Sequence, residues 1–525
     1  MENREDLNSI LEFLPVVLRS SALFWPSQVV EALKALSKGP EHSQVDSGEV
    51  LFLAISDLRN SLNLSADPLA FSTADGFSLF FDDLISRAEA NKWFAEILPA
   101  LADSLLRLPS MLEAHYNRAD SITRIDSRDE LRTSLRLLKS QEPGIVLLSQ
   151  ELIAALLACS FFCLFPNYSR DANHLPLINF DHLFASLYDS YNEKQENKIK
   201  CIIHYFERIC SSMPVGNVSF ERKVLADNHN LNYIPYPKAE SWSKSVVSLC
   251  LFEVCSSGLI EDTSKEALEV DFANKYFGGG ALTKGCVQEE IRFMISPELI
   301  AGMLFLPCMA DNEAIEVVGA ERFSKYKGYA ASFRFDGDFL DKRDIDIMGR
   351  RKTRIIAIDA LVNPEERQYR HKFLLREINK AFCGFSDSCK SKQYQTLLKD
   401  DDFSESLSLN FEDEIGIVTG NWGCGAFGGD PEIKTILQWL AASQALRPFL
   451  VYYAFNMEAL KTLEQVTKWI MLHKWNVGDL WNMVVEYSLQ RSKRETGVGF
   501  FNWLLPFLSS DDPMMLDPPY VNIGK

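Results

Sequence analysis

The sequence predicts an α/β fold, a largely internal sheet layered with helices and preceded by a helical region. Two observations carry this. Over the first 225 residues apolar side chains recur at helical spacing, and strand-like β-branched runs are few. Beyond about residue 225, short apolar, β-rich runs alternate with amphipathic helical patterns, the order expected of a layered α/β domain.

Taken in order, LNSILEFLPVVL (7–18), ILPALADSLLRLPSMLEAHY (97–116) and KIKCIIHYFERIC (198–210) read as helices, and SKGPEHSQVDSGE (37–49) as a loop between early ones. ELIAALLACSFFCLF (151–165) is the most apolar run; it is too short to cross a bilayer and reads as a buried helix. VVSLCLFEVC (246–255), AGMLFLPC (301–308), AIEVVGA (314–320), RIIAIDAL (354–361), IGIVTG (415–420) and FLVYYAF (449–455) read as strands. PEERQYRHKFLLREINKAF (364–382) and PEIKTILQWLAASQAL (431–446) each open with proline and an acid, a favourable first helical turn. CGFSDSCKSKQYQTLLKDDD (383–402) reads as a surface insertion, and SSDDPMMLDPPYVNIGK (509–525) as an irregular tail. The expected division is a helical region at 1–225, an α/β domain at 226–508 and the tail at 509–525.

The composition suits this reading. The chain has 525 residues, 47% apolar and 24% charged, enough for a large core. A net charge of −18 argues against a general duplex-DNA binder, whose affinity comes from neutralising phosphates. The 11 cysteines show no CxxC and no zinc-finger spacing, so they read as reduced thiols of a cytosolic or nuclear protein. MENREDLNSI carries no apolar segment of a secretory signal. The eight histidines form no metal constellation, and His204, on an apolar helix, reads as structural.

Two glycine-rich segments carry the chemistry. GGGALTKGCVQEE (278–290) places three glycines, which admit backbone conformations and approaches that a Cβ forbids, ahead of a helix opening Gln288, Glu289, Glu290. Acids in a first turn favour the helix dipole, so the simplest reading is a charged N-terminus. Adjacent helical residues point about 100° apart, so two carboxylates used chemically would divide the labour. GIVTGNWGCGAFGGDPEIKT (416–435) follows a predicted strand and precedes a helix, where free N–H groups and the helix N-terminus attract phosphate. It matches neither GxxxxGK[ST] nor a dinucleotide fingerprint. Together the two segments point to a nucleotide-diphosphate ligand with acid chemistry at one end.

At these residues the chain resembles the eukaryotic poly(ADP-ribose) glycohydrolases, in which a glycine triplet precedes Gln-Glu-Glu. VDFAN (270–274), GYAASF (328–333), GNWGCGAFGGD (420–430) and YYAF (452–455) recur in the same order, and HYFERI (204–209) resembles part of the family's helical accessory region. The match covers roughly residues 170 to 475. The resemblance implies a macrodomain-like mixed sheet sandwiched by helices and joined to the accessory region. It also implies hydrolysis of the ribose–ribose O-glycosidic bond of poly(ADP-ribose), releasing ADP-ribose.

Carried over residue by residue, the resemblance makes Glu290 the acid/base and Glu289 the residue that holds a ribose hydroxyl. Burial and the neighbouring Glu289 would then raise the Glu290 pKa. Adjacent carboxylates do not supply the opposed pair of ordinary retaining glycosidases, so one residue would act as acid and base in turn. Asp271, Asn274 and Gln288 match active-site positions, Asp271 also being readable as a loop-capping carboxylate. Gly279 and Gly280 would lie against the ligand, Ile260 and Glu261 in GLIED (258–262) would recognise adenine, and Tyr329 would close over the ligand. Gly423, Cys424, Gly425, Ala426 and Phe427 would wrap the diphosphate, Asn421 would fix that loop, and Phe427 and Phe455 would pack on ribose and adenine. GRRKTR (349–354) fits a phosphate contact, a nuclear import signal or a solvated turn equally well. Cys286 and Cys424 flank the expected site without a histidine partner. The implied partners are poly(ADP-ribose) and ADP-ribosylated proteins, with no duplex DNA, membrane, metal or cofactor. A monomer in nucleus and cytoplasm, serving the DNA damage response, is the corresponding expectation. Two alternatives remain: a reader that binds ADP-ribose without cutting, and an enzyme that removes the protein-linked terminal unit. The paired glutamates disfavour the reader, which needs only the diphosphate loop and adenine pocket.

Overall fold

The computed structural model describes residues 1–123, 132–227, 233–387 and 415–506. The expected tail at 509–525, and the expected insertion at 383–402 beyond Asp387, lie outside the described residues. The chain divides into two compact units, Met1–Val224 with Asp271–Asp359, and Leu225–Val270 with Ala360–Lys525.

The strands that position the site are, in chain order, β1 (Gly144–Ser149), β2 (Asn217–Ala226), β3 (Leu251–Cys255), β4 (Ala267–Asp271) and β5 (Glu313–Val318). They continue with β6 (Ser324–Lys327), β7 (Arg334–Asp338), β8 (Arg354–Ala357), β9 (Gly416–Gly420) and β10 (Phe449–Tyr453). The helices used below are α1 (Leu98–Thr123), α2 (Gln150–Phe161), α3 (Glu193–Ser211), α4 (Gln288–Ile295), α5 (His371–Phe385) and α6 (Pro431–Gln444).

In the first unit the strand order is β1-β2-β5-β8, every neighbour antiparallel, with Gly144 opposite Arg222, Ser219 opposite Val318 and Ile315 opposite Ala357. β6 and β7 form a separate antiparallel hairpin. One hydrophobic core, running from Leu7 to Ala357, takes in the N-terminal helices and residues 273–357 together. α2 is buried on all sides, as its continuous apolar run requires, and Ser149 caps it by accepting the Leu152 N–H at 3.3 Å.

In the second unit the order is β4-β9-β10-β3, every neighbour parallel, with Ala267 opposite Gly416, Ile417 opposite Leu450 and Phe449 opposite Leu251. β4 and β9 are buried throughout, and the continuous apolar run of β9 reflects this. Asp430 caps α6, accepting the N–H groups of Glu432 at 2.9 Å and Ile433 at 3.3 Å, ahead of Pro431. The chain thus carries antiparallel and parallel ladders, the mixed sheet with helices that the α/β reading requires.

Three expectations are corrected. AGMLFLPC is not a strand: Pro297–Leu304 is a fully buried 3-10 helix, because a short apolar run buried on every side carries no periodicity to separate the two. PEERQYRHKFLLREINKAF is not one helix; a 3-10 turn over Glu365–Tyr369 is broken from α5 by extended backbone at Arg370. LNSILEFLPVVL is not one helix: it divides into a helix at Glu5–Ile10, a 3-10 turn at Leu11–Phe13 and the start of a strand, although the first 225 residues are mostly helical as expected. Those residues also contribute β1 and most of β2, and a hairpin of Val17–Arg19 with Ala22–Phe24. GRRKTR is used inside the fold. Arg350 bonds Asp346 and Ser219, Arg351 bonds Glu321 and the carbonyls of Asp341 and Arg343, and Arg354 pairs with Glu316.

Arg222 and Glu313 form a wholly buried ion pair between β2 and β5. Arg222 also donates to the carbonyls of Leu138 and Pro307, and Glu313 accepts from Ser140 and the N–H groups of Gln141 and Ala310. Glu313→Gln leaves that guanidinium buried without its anion, so chemical denaturation should show a loss of about 3–5 kcal/mol.

Candidate active site

β4 ends at Asp271, and the chain then turns through residues 272–287 before entering α4. This turn folds its backbone N–H groups onto the first three side chains of α4. The Phe272 N–H donates to Gln288 Oε1 at 2.8 Å. Asn274 and Gly278 donate to the two oxygens of Glu289 at 2.8 and 2.7 Å. Gly280 and Val287 donate to the two oxygens of Glu290 at 2.9 and 2.8 Å. The Val287 bond is the return half of a capping box, from the third helical residue to the residue before the helix. Glu290 therefore caps its own helix, as the simpler sequence reading has it, while a second donor fixes its rotamer.

The glycines make this packing feasible. Gly279 has φ +50°, and a Cβ there would lie 2.5 Å from Glu289 Oε2 and 2.8 Å from Glu290 Oε1. A Cβ on Gly285 would lie 2.7 Å from Glu290 Oε1. The triplet thus admits the protein's own carboxylates, a use that its sequence did not reveal.

Asp271, Glu289 and Glu290 are all buried, at 1%, 2% and 8% exposure. Neither oxygen of Asp271 has a hydrogen-bond partner among the described residues. Burial pushes Asp271 up to about 8, the Glu290 charge adding to this and Arg292 opposing it. Burial also drives Glu289 well above the usual carboxylate range, reinforced by Asp271 and Glu290 and opposed by its two backbone donors. Asp271 and Glu289 therefore both hold a proton more tightly than a solvated carboxyl does. Tyr329 sits in the loop between β6 and β7, its ring half exposed and its hydroxyl against the Gln288 N–H.

Sequence reasoning missed the support of this turn. α3 carries Lys198 and Gln195 on the same buried face as Ile202, Tyr205 and Ile209, and both reach carbonyls of the 280–285 segment. A lysine on the apolar stripe of an amphipathic helix is the signal that marks it.

The second unit holds the other expected residues. Asn421 follows β9, donating to the Ala454 carbonyl at 3.2 Å and accepting from the Tyr452 hydroxyl at 3.0 Å, so it ties the ends of β9 and β10. The glycine loop folds on itself: Cys424 N–H to Asn421 O, Gly428 N–H to Gly425 O, Gly429 N–H to Gly423 O. The Asn363 N–H holds the Phe427 carbonyl at 2.9 Å. The N–H groups of Gly423, Gly425, Ala426 and Phe427 find no acceptor among the described residues. Such a row of unused donors ahead of a helix is an anion-binding arrangement. Beneath it Lys434 pairs with Glu377 of α5, its Nζ 4.0 Å from the centre of the Trp422 ring. Ile260 and Glu261 are buried in a 3-10 turn beyond β3. Phe455 is half exposed beyond β10, 6.5 Å from the Tyr453 ring. Ile260, Asn421 and Phe455 thus all follow the carboxyl ends of parallel strands, where open α/β sheets bind ligands.

Comparison with known proteins gives two family matches. Residues 85–222 match the helical domain of poly(ADP-ribose) glycohydrolase, and residues 239–462 match its macro domain fold. The chain is 56% identical to poly(ADP-ribose) glycohydrolase 1 of Arabidopsis thaliana, over 99% of this chain and 100% of that protein. It is 52% identical to probable poly(ADP-ribose) glycohydrolase 2 of the same plant, over 97% and 100%. It is 32% identical to poly(ADP-ribose) glycohydrolase 1 of Caenorhabditis elegans, over 60% of this chain and 38% of that protein. The macro domain fold agrees with the macrodomain-like sheet that the resemblance implied.

Two outcomes follow from the carboxylate turn. Gly279→Ala should lower unfolding stability by about 1–3 kcal/mol in denaturant, since its Cβ and positive φ both oppose the native turn. Between the unfolded Asp271 value of 3.8 and the folded one near 8, the folded chain holds a proton that the unfolded chain releases. That contribution is fully present below the lower value and lost as pH rises through the upper one. The wild-type thermal midpoint should therefore fall between about pH 4 and 8 more steeply than that of Asp271→Asn.

Proposed function

The chain belongs to the poly(ADP-ribose) glycohydrolase family and is a glycosidase, and from that premise we propose that it hydrolyses the ribose–ribose O-glycosidic bonds of poly(ADP-ribose), releasing ADP-ribose. The observation that carries this reading is the cluster of three buried carboxyls, two of them pinned oxygen by oxygen to one backbone turn. A protein that only bound ADP-ribose would need the diphosphate loop and adenine pocket, and would gain nothing from burying Asp271, Glu289 and Glu290 together.

In this reading the open N–H groups of Gly423, Gly425, Ala426 and Phe427 take the diphosphate, and Ile260 and Glu261 receive the adenine. Glu289, held by Asn274 and Gly278, orients a ribose hydroxyl. Glu290 donates a proton to the leaving ribose oxygen as the glycosidic C–O bond breaks, leaving an oxocarbenium-like centre. The resulting Glu290 carboxylate then takes a proton from the water that attacks that centre, which restores the starting state. The backbone donors of Gly280 and Val287 keep its two oxygens in place through both steps; each oxygen retains further lone-pair capacity. The protons held by Asp271 and Glu289 at neutral pH limit the negative charge beside the reacting carboxyl. Tyr329, half exposed on its hairpin loop, covers the bound ligand.

Purified poly(ADP-ribose) incubated with wild type, Glu290→Gln and Glu289→Gln tests this, with free ADP-ribose and polymer affinity measured together. Wild type should release ADP-ribose, and Glu290→Gln should lose about 100- to 10,000-fold in rate while still binding. Binding without release by wild type would make the protein a reader.

A further inference from the structure

The turn that holds Glu290 is itself held from α3. Lys198 is fully buried and donates through Nζ to the carbonyls of Thr283 at 2.7 Å and Gly285 at 2.6 Å, with the Gly280 carbonyl at 3.5 Å. Gln195, one turn earlier, donates to the same Thr283 carbonyl at 2.9 Å, and Lys194 to the Lys284 carbonyl at 3.0 Å. Among the described residues no carboxylate is ion-paired with Lys198. Neutral carbonyls could be satisfied by a neutral donor, as Gln195 shows, and a buried ammonium without a counter-ion is costly. The charge is explained by what lies across the turn. Gly280 gives its N–H to Glu290 and turns its carbonyl towards Lys198, so one peptide segment is stretched between a cation and the glutamate.

We propose that Lys198 is a positioning residue for Glu290: its ammonium, delivered by the helical region, fixes the 280–285 carbonyls so that the opposite face of the turn holds the carboxyl in its reactive placement. This rests on the reading of Glu290 as the acid/base. A purely structural stitch between helix and turn would need a hydrogen-bond donor at this position but not a charge, and pH separates the two roles. Burial lowers the Lys198 pKa to about 8, opposed by the nearby Cys286 and Glu290. The titratable groups facing it are Cys286 in the turn, Glu290 on α4, and Lys194 and Cys201 on α3. As pH rises through about 8 the ammonium is lost, and cleavage should slow with it while the fold persists.

The test uses the full chain and purified poly(ADP-ribose), with kcat, KM and thermal midpoint followed from about pH 6 to 10. Wild type should show an alkaline limb in kcat near 8. Lys198→Met should lower kcat roughly 10- to 100-fold with KM little changed, and should flatten that limb to the part that Asp271 contributes. Lys198→Arg, whose charge does not titrate in this range, should decline through it less than the wild type, keeping only the part that Asp271 contributes. A folded Lys198→Met with wild-type kcat overturns the proposal, as does a Lys198→Arg limb matching the wild type's. So does a wild-type profile with no alkaline limb, which decides the matter even if neither variant folds. Glu290→Gln, run alongside, keeps the underlying reading separate. If it stays active that reading fails; if it is inactive beside an unaffected Lys198→Met, only the role of Lys198 fails.

Discussion

Two adjacent glutamates cannot be buried unless something replaces the water they lose, and here the replacement is the backbone of a single turn. Asn274, Gly278, Gly280 and Val287 supply one N–H to each of the four carboxylate oxygens. Leaving such buried carboxyls without donors would cost about 1–3 kcal/mol each, and more for any that is charged. The surrounding features follow from that requirement. The turn must carry glycine where a Cβ would strike a carboxylate, and its carbonyls, facing the other way, need donors of their own, which α3 provides through Lys198 and Gln195.

The same chemistry is used in reverse in the second unit. The loop after β9 is also glycine-rich and also presents backbone N–H groups, but those of Gly423, Gly425, Ala426 and Phe427 meet no acceptor among the described residues. The first turn closes on carboxyls that the protein supplies; the second leaves its donors unused among the described residues. Its shape is maintained from below, where a Cβ on Gly423 would lie 2.5 Å from the Ala360 methyl, and where Lys434 is fixed by Glu377 and the face of Trp422.

α3 gives the helical region a definite task within the first unit. Besides the turn, it holds the hairpin that carries Tyr329. Glu193 pairs with Arg334, Asn197 accepts the Phe335 N–H at 2.9 Å, and His204 and Arg208 both meet Asp338. The helices and the carboxylate segment share one hydrophobic core, so the region acts as scaffold for the carboxylate turn. His204, which the sequence marks as structural, is part of that attachment.

The sequence by itself determined the α/β class, the helix opening at Gln288 and the helix opening at Pro431. These are local properties: periodicity, capping residues and composition are complete within ten or twenty residues. It did not determine β1 and β2, whose short runs lie among helices, nor the 3-10 helix at Pro297–Leu304, because an element buried on every side has lost its pattern. Nor did it show which carboxyls keep a proton. That depends on Asp271, at the end of β4, being buried against Glu289 and Arg292, a distance in space that residue spacing does not encode. Burial and like charge act together at Asp271 and Glu289, and raised values lie there. Lys198 was legible only as an oddity on an apolar helix face. Its meaning required the turn 82 residues downstream to fold against it, since a buried charge is explained only by the groups that surround it.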